Sequence, residues 1–66
     1  MEIWVNDQQY QLPDHQTVAE LLTHLQLEPS RVAVWVGERQ LWQREYTSYR
    51  LTPGEKVRIL KPVAGG

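Results

Sequence analysis

The chain contains no cysteine. That absence removes a disulfide framework, a thiolate metal site and a thiol nucleophile at once. Long apolar runs are also missing: none approaches the roughly 18 residues that a membrane-crossing helix requires, so no membrane partner is expected. Excess charge of one sign is absent too. Seven Lys and Arg stand against eight Asp and Glu, for a net charge of −1. The basic residues are scattered, so nucleic-acid binding through a basic patch is not expected. Glycine is sparse, at four residues. Gly37 and Gly54 stand singly at predicted turns, and no glycine-rich phosphate loop is formed. The chain is therefore read as binding neither ATP nor any other cofactor. His15 and His24 have no third donor near them in sequence, whereas a metal site takes three or four converging ligands. Both are read as surface histidines. The carboxylates are dispersed, as on a solvated surface rather than in an acid–base pair. Asp14-His15 makes no triad without a shown geometry. The start, Met1-Glu2-Ile3-Trp4, lacks the basic-then-apolar layout of a signal peptide, which predicts a cytoplasmic protein.

What is present describes one small domain over residues 1–66, with 62–66 as a flexible, extended tail. A domain of this size buries only about 60% of its unfolded surface, so its stability is marginal and no large pocket is expected. That argues against a self-sufficient enzyme. The compact state must rest on the apolar residues, 41% of the chain.

Alternation carries most of the structural signal. Glu2 to Asn6 places Ile3 and Val5 on one side and Glu2, Trp4 and Asn6 on the other. Asn6-Asp7 is a turn signal, and Gln8 to Leu12 alternates again with Tyr10 and Leu12 inward, which predicts a hairpin. Thr17-Val18-Ala19-Glu20 has the spacing of a capping box. From there Val18, Leu21, Leu22 and Leu25 fall at i, i+3, i+4 and i+7, an apolar stripe on a helix of about three turns. Glu28-Pro29 is expected to close it. Val32 to Val36 reads as a strand turned by Gly37-Glu38, and Arg39 to Leu41 as a short strand. Gln43 to Tyr49 has no clear period and predicts turns or one helical turn. Thr52-Pro53-Gly54-Glu55 is a tight turn. Lys56 to Lys61 is the last strand, with Val57 and Ile59 on one face and Lys56, Arg58 and Leu60 on the other; Pro62 then ends the ladder.

A hairpin, a crossing helix and further strands that end at the centre make an α+β, ubiquitin-like β-grasp layout. It has a mixed sheet of four to five strands with one helix packed on one face. Putting Val32, Val34 and Val36 in the core turns Trp35 outward, where Trp4, Arg58 and Leu60 already point. Tryptophan and arginine are enriched at interface hot spots, and large apolar groups exposed together mark partner surfaces. Trp4, Trp35, Arg58 and Leu60 are therefore candidate partner-binding residues. Trp42 is read instead as tucked under the loop of residues 39–49.

The chain closes on Val63-Ala64-Gly65-Gly66. Glycine loses more backbone freedom on ordering than any other residue, so a double-glycine end has little reason to exist unless slimness is useful. It is useful if the terminal carboxylate reacts inside a narrow channel of an enzyme. The alternative is a frayed end with no role.

Taken together, these segments resemble the sulfur carrier proteins of thiamine biosynthesis. The resemblance is carried by Ile3-Trp4-Val5-Asn6-Asp7, Thr17-Val18-Ala19-Glu20-Leu21-Leu22, Val32-Ala33-Val34, Pro53-Gly54-Glu55 leading into Val57-Arg58-Ile59-Leu60, and the final Val63-Ala64-Gly65-Gly66. Its specific parts are the length, the Gly-then-acid turn before the last strand and the Gly-Gly end. The resemblance implies a carrier rather than an enzyme. A ubiquitin-activating-type enzyme would use ATP to adenylate the Gly66 carboxylate. Sulfur delivered by a cysteine desulfurase would convert it to a thiocarboxylate, and thiazole synthase would take that sulfur. Gly66 would be the reacting residue and Gly65 the slim approach to it. Val63 and Ala64 would join the sheet face in partner contact. The small subunit of molybdopterin synthase, a carrier for another sulfur-containing product and a non-catalytic β-grasp binding module remain as alternatives.

Overall fold

The computed structural model describes residues 1–61. The predicted tail, with Val63, Ala64, Gly65 and Gly66, lies outside the described residues. Two strands, β1 (Glu2–Val5) and β2 (Gln8–Gln11), form the hairpin, with Ile3 opposite Tyr10. Asn6 and Asp7 turn it with φ of 49° and 68°. These left-handed values suit a two-residue turn, and Asn and Asp tolerate them better than most side chains.

The helix α1 (Val18–His24) starts where the capping box predicts. The Glu20 N–H donates to Thr17 Oγ1 at 3.2 Å, and the Thr17 N–H donates to Glu20 Oε1 at 3.0 Å. Val18, Leu21 and Leu22 are buried. The helix stops before Leu25, a turn short of the three that the apolar spacing predicts, and Glu28-Pro29 does not close it. Gln26 takes a left-handed φ of 60°. Its N–H then donates to the Thr23 carbonyl at 3.0 Å and the Leu27 N–H to the Leu22 carbonyl at 2.8 Å. This pair is a Schellman closure, made with glutamine where glycine is usual. Pro29 instead opens a short 3-10 turn, Pro29–Arg31, a position where its missing N–H costs nothing.

Three further strands complete a five-stranded sheet: β3 (Ala33–Val36), β4 (Arg39–Gln40) and β5 (Lys56–Leu60). The order is β2-β1-β5-β3-β4, with β5 central, parallel to β1 and antiparallel to β3. The helix packs on one face, the ubiquitin-like β-grasp arrangement. Ile3, Val5, Val34, Val57 and Ile59 are buried there, so the valine parity assigned to β3 holds. Pro53-Gly54 turns the chain into β5. Gly54 sits at φ 81°, as the third position of a type II turn requires, and the Glu55 N–H donates to the Thr52 carbonyl at 3.1 Å.

The segment between β4 and β5 holds one 3-10 turn, Gln43–Glu45. It also supplies core residues that had no periodic signal, since Leu41, Tyr46 and Leu51 are all buried. The Tyr46 hydroxyl donates to the Val32 carbonyl at 3.1 Å, and burial raises its pKa. Trp42 is not tucked under this loop, contrary to expectation. Leu41 and Tyr46 fill that space, and Trp42, between them, is 67% exposed.

Candidate functional site

The face of the sheet away from the helix is assembled by register. Trp4 pairs with Lys56, Trp35 with Arg58 and Ala33 with Leu60. Directly paired residues share a face, so these side chains line the uncovered side. The structure thus brings together four sequence-predicted residues, Trp4, Trp35, Arg58 and Leu60. Trp4 and Leu60 are 36% and 48% exposed. Arg58 is exposed and Trp35 is half-buried.

A shallow cavity of about 420 Å³ opens on this face beside Trp4, Asn6, Gly37, Lys56 and Arg58. Neither Lys56 nor Arg58 has an ion-pair partner among the described residues. The cavity therefore presents an aromatic ring beside two cations, with the Asp7 carboxylate also on its lining.

Asn6 holds this face to the end of β5, a role that its turn signal did not reveal. The β1–β5 ladder runs from the Trp4 N–H to the Glu55 carbonyl at 2.9 Å and from the Asn6 N–H to the Val57 carbonyl at 3.0 Å. There the backbone of β1 turns away. The Asn6 side-chain amide continues the ladder: Nδ2 donates to the Ile59 carbonyl at 2.9 Å, and the Ile59 N–H donates to Oδ1 at 2.8 Å. A carboxamide has the donor and acceptor of a peptide group, so Asn6 stands in for one more strand residue. The sequence signal was an asparagine whose turn lies beside the final strand. Turn asparagines usually bond their own backbone, which hides this use.

At the other end of β5, Glu55 gives the acid of the Gly-then-acid turn a structural reason. Oε1 accepts from the Thr52 N–H at 3.0 Å and Oε2 from the Tyr49 hydroxyl at 2.9 Å. Burial, and then Glu55, raise the pKa of Tyr49.

Among the described residues, no three His, Asp or Glu converge as metal ligands. No helix among them is long and apolar enough to cross a membrane. His15 and His24 are both exposed. The described residues leave one face of the sheet uncovered, and its central strand leads to the terminal segment.

A family model described as the ThiS family matches residues 3–66. The chain belongs to the ThiS family. Proteins of this family are small sulfur carriers that act as co-substrates, not catalysts. That membership supports a sulfur carrier of thiamine biosynthesis, with partner enzymes of the corresponding kind. Among solved structures, the fold is similar to the crystal structure of a thiamine biosynthesis protein (ThiS) from Geobacter metallireducens. The TM-score is 0.85 at 23% identity, covering 100% of both chains. A solution structure of a thiamine biosynthesis protein from the same organism superposes with a TM-score of 0.82 at 23% identity, covering 100% of this chain and 88% of that one. No curated protein sequence matches the chain significantly.

Proposed function

We propose that this protein carries sulfur as a thiocarboxylate on Gly66 for assembly of the thiazole ring of thiamine. The observation that carries the reading is the family match, which runs to Gly66 itself. A carboxylate is a poor acyl donor. An adenylating enzyme of the ubiquitin-activating type spends ATP to attach AMP to it, and AMP is then a leaving group. The outer sulfur of a persulfide, generated by a cysteine desulfurase, displaces AMP to give an acyl disulfide. An enzyme thiol then attacks the other sulfur of that disulfide, forming a new disulfide and releasing the thiocarboxylate. Thiazole synthase then receives the sulfur. The carrier binds no cofactor of its own, since ATP is held by the activating enzyme. Gly65 and Gly66 lack Cβ atoms, which suits a narrow channel. Val63 and Ala64 extend the contact made by Trp4, Trp35, Arg58 and Leu60. The cytoplasm, where these enzymes and ATP occur together, is the proposed location.

The test is intact-protein mass spectrometry after incubation with the adenylating enzyme, ATP and a cysteine desulfurase. The expected result is the mass rise for exchange of one oxygen by sulfur, localised to Gly66. No rise, with an enzyme active on another carrier, would overturn the reading. A second arm uses Gly65→Val, whose branched side chain should block adenylation. Unchanged pyrophosphate exchange with that variant would contradict the narrow channel.

A further inference from the structure

Trp42 is the most exposed of the large apolar side chains among the described residues, at 67%. Its backbone is nevertheless fixed. The Trp42 N–H donates to Glu45 Oε1 at 2.9 Å, and the Glu45 N–H donates to the Trp42 carbonyl at 2.8 Å. Glu45 Oε2 in turn accepts from Arg39 at 2.5 Å. The Arg44 guanidinium lies over the indole, 5.3 Å from the ring centroid, within cation–π range. An exposed ring that is already ordered loses little conformational freedom when a partner covers it.

Its place on the sheet is equally specific. The β3–β4 pairing continues one bond beyond Gln40, from the Leu41 N–H to the Val34 carbonyl at 2.9 Å. Alternation sends Leu41 inward, where it is buried, and puts Trp42 on the uncovered side across from Ala33. Ala33 pairs with Leu60. Extended by one residue beyond Leu41, that register assigns Trp42 to the Ala33–Leu60 end of the sheet, the end from which β5 leaves for the terminal segment.

We infer that Trp42 is an anchor of the docking face, seated in an apolar pocket of the adenylating enzyme whose rim carries carboxylates that meet Arg44, Lys56 and Arg58. The inference rests on the carrier function proposed above. Charge selects the occupant's chemistry. Arg44, Lys56 and Arg58 have no ion-pair partner among the described residues. Three cations against the carboxylates of Glu2 and Asp7 leave this face with an excess of positive charge, to which an acidic, apolar-centred surface is complementary.

The experiment measures ATP–pyrophosphate exchange by the adenylating enzyme with the full chain, Trp42→Ala and Arg44→Glu. Both variants are expected to raise KM for the carrier, Trp42→Ala by about 10- to 100-fold, the range of an aromatic hot spot. The kcat should stay near wild type, and Trp42→Phe should recover most of the loss. Melting curves establish that each variant is folded, and Arg44→Glu reads the same contact without removing the ring. Wild-type KM in both variants overturns the anchor. So does a loss confined to sulfur delivery from already charged carrier, or an effect only on self-association, because either assigns Trp42 to another occupant. Absence of exchange with the wild-type chain would instead count against the carrier function itself.

Discussion

The two faces of the sheet use the same strands for opposite ends. On the covered face Ile3 and Val34 are fully buried, and Leu21 and Leu22 of the helix lie against them with no exposure either. On the other face, one residue further along in each strand, Trp4 and Leu60 keep 36% and 48% of their surface. Strand β5 shows the division within five residues, with Val57 and Ile59 buried and Lys56, Arg58 and Leu60 exposed. A single helix can cover only one face. The apolar side chains left on the other are available to a partner, and the strand that joins the two functions is the one that leads to Gly66.

The largest expected effect is on the covered face. Leu22→Ala should cost about 2–5 kcal/mol through lost burial and a residual cavity. A core of this size rarely supplies more than about 3–5 kcal/mol, so the variant should be largely unfolded at 25 °C by circular dichroism. A wild-type melting temperature would show that the covered face is not what holds the fold.

Asn6 sits where the two faces meet, and Asn6→Gly sharpens the comparison. Glycine keeps the left-handed turn and removes only the amide that bridges to Ile59. Two buried-end hydrogen bonds lost to a strand should cost about 1–2 kcal/mol. Amide exchange at Ile59 should accelerate more than at Val34. Equal protection at both sites, with unchanged denaturant midpoint, would mean that β5 needs no such brace.

On the uncovered face, stability and recognition should separate. Trp4→Ala should cost only about 1 kcal/mol, since the ring lies outside the buried core and about a third of its surface, 36%, already meets water. Its KM in pyrophosphate exchange should rise at least tenfold, as for a central interface aromatic. Unfolding of this variant at ordinary temperature would place the ring in the structural half of the molecule.

Periodicity made one of these faces far more legible than the other. Ile3, Val5, Val57, Ile59, Val18, Leu21 and Leu22 were readable because burial on one side imposes a period of two or 3.6. Leu41, Tyr46 and Leu51 were not, because an irregular loop has no period and each enters the core at its own angle. The helix end was misjudged because Gln26 takes a conformation usually left to glycine. Trp4, Trp35, Arg58 and Leu60 followed from alternation once the parity of β3 was chosen. Asn6 and Trp42 escaped for a different reason. One acts through a side chain imitating backbone and the other through a cap formed by Glu45, and neither arrangement shows in hydropathy.

The Glu45 cap yields the smallest and most local effect, and it separates packing from polar order on the uncovered side. The hydrogen bond from the Trp42 N–H holds the Glu45 carboxyl below its ordinary pKa of 4.5, with Arg39 and Arg44 acting in the same direction against desolvation. A carboxyl whose folded pKa lies below its unfolded one stabilises the folded arrangement above the unfolded value, and that contribution disappears as pH falls through the folded one. The group is half-buried at the surface and its partners are local, so global stability should barely change. The Trp42 amide resonance, however, should move in acid below pH 4.5 as the cap opens, while the amides of Val34 and Ile59 stay fixed. Glu45→Gln should abolish that titration, because the amide can still accept from Trp42 but no longer gains or loses charge. A Trp42 shift that persists in Glu45→Gln, or one shared by Val34, would show that the ring is not ordered by this carboxylate. Its exposure would then owe to the packing of Leu41 and Tyr46 beneath it.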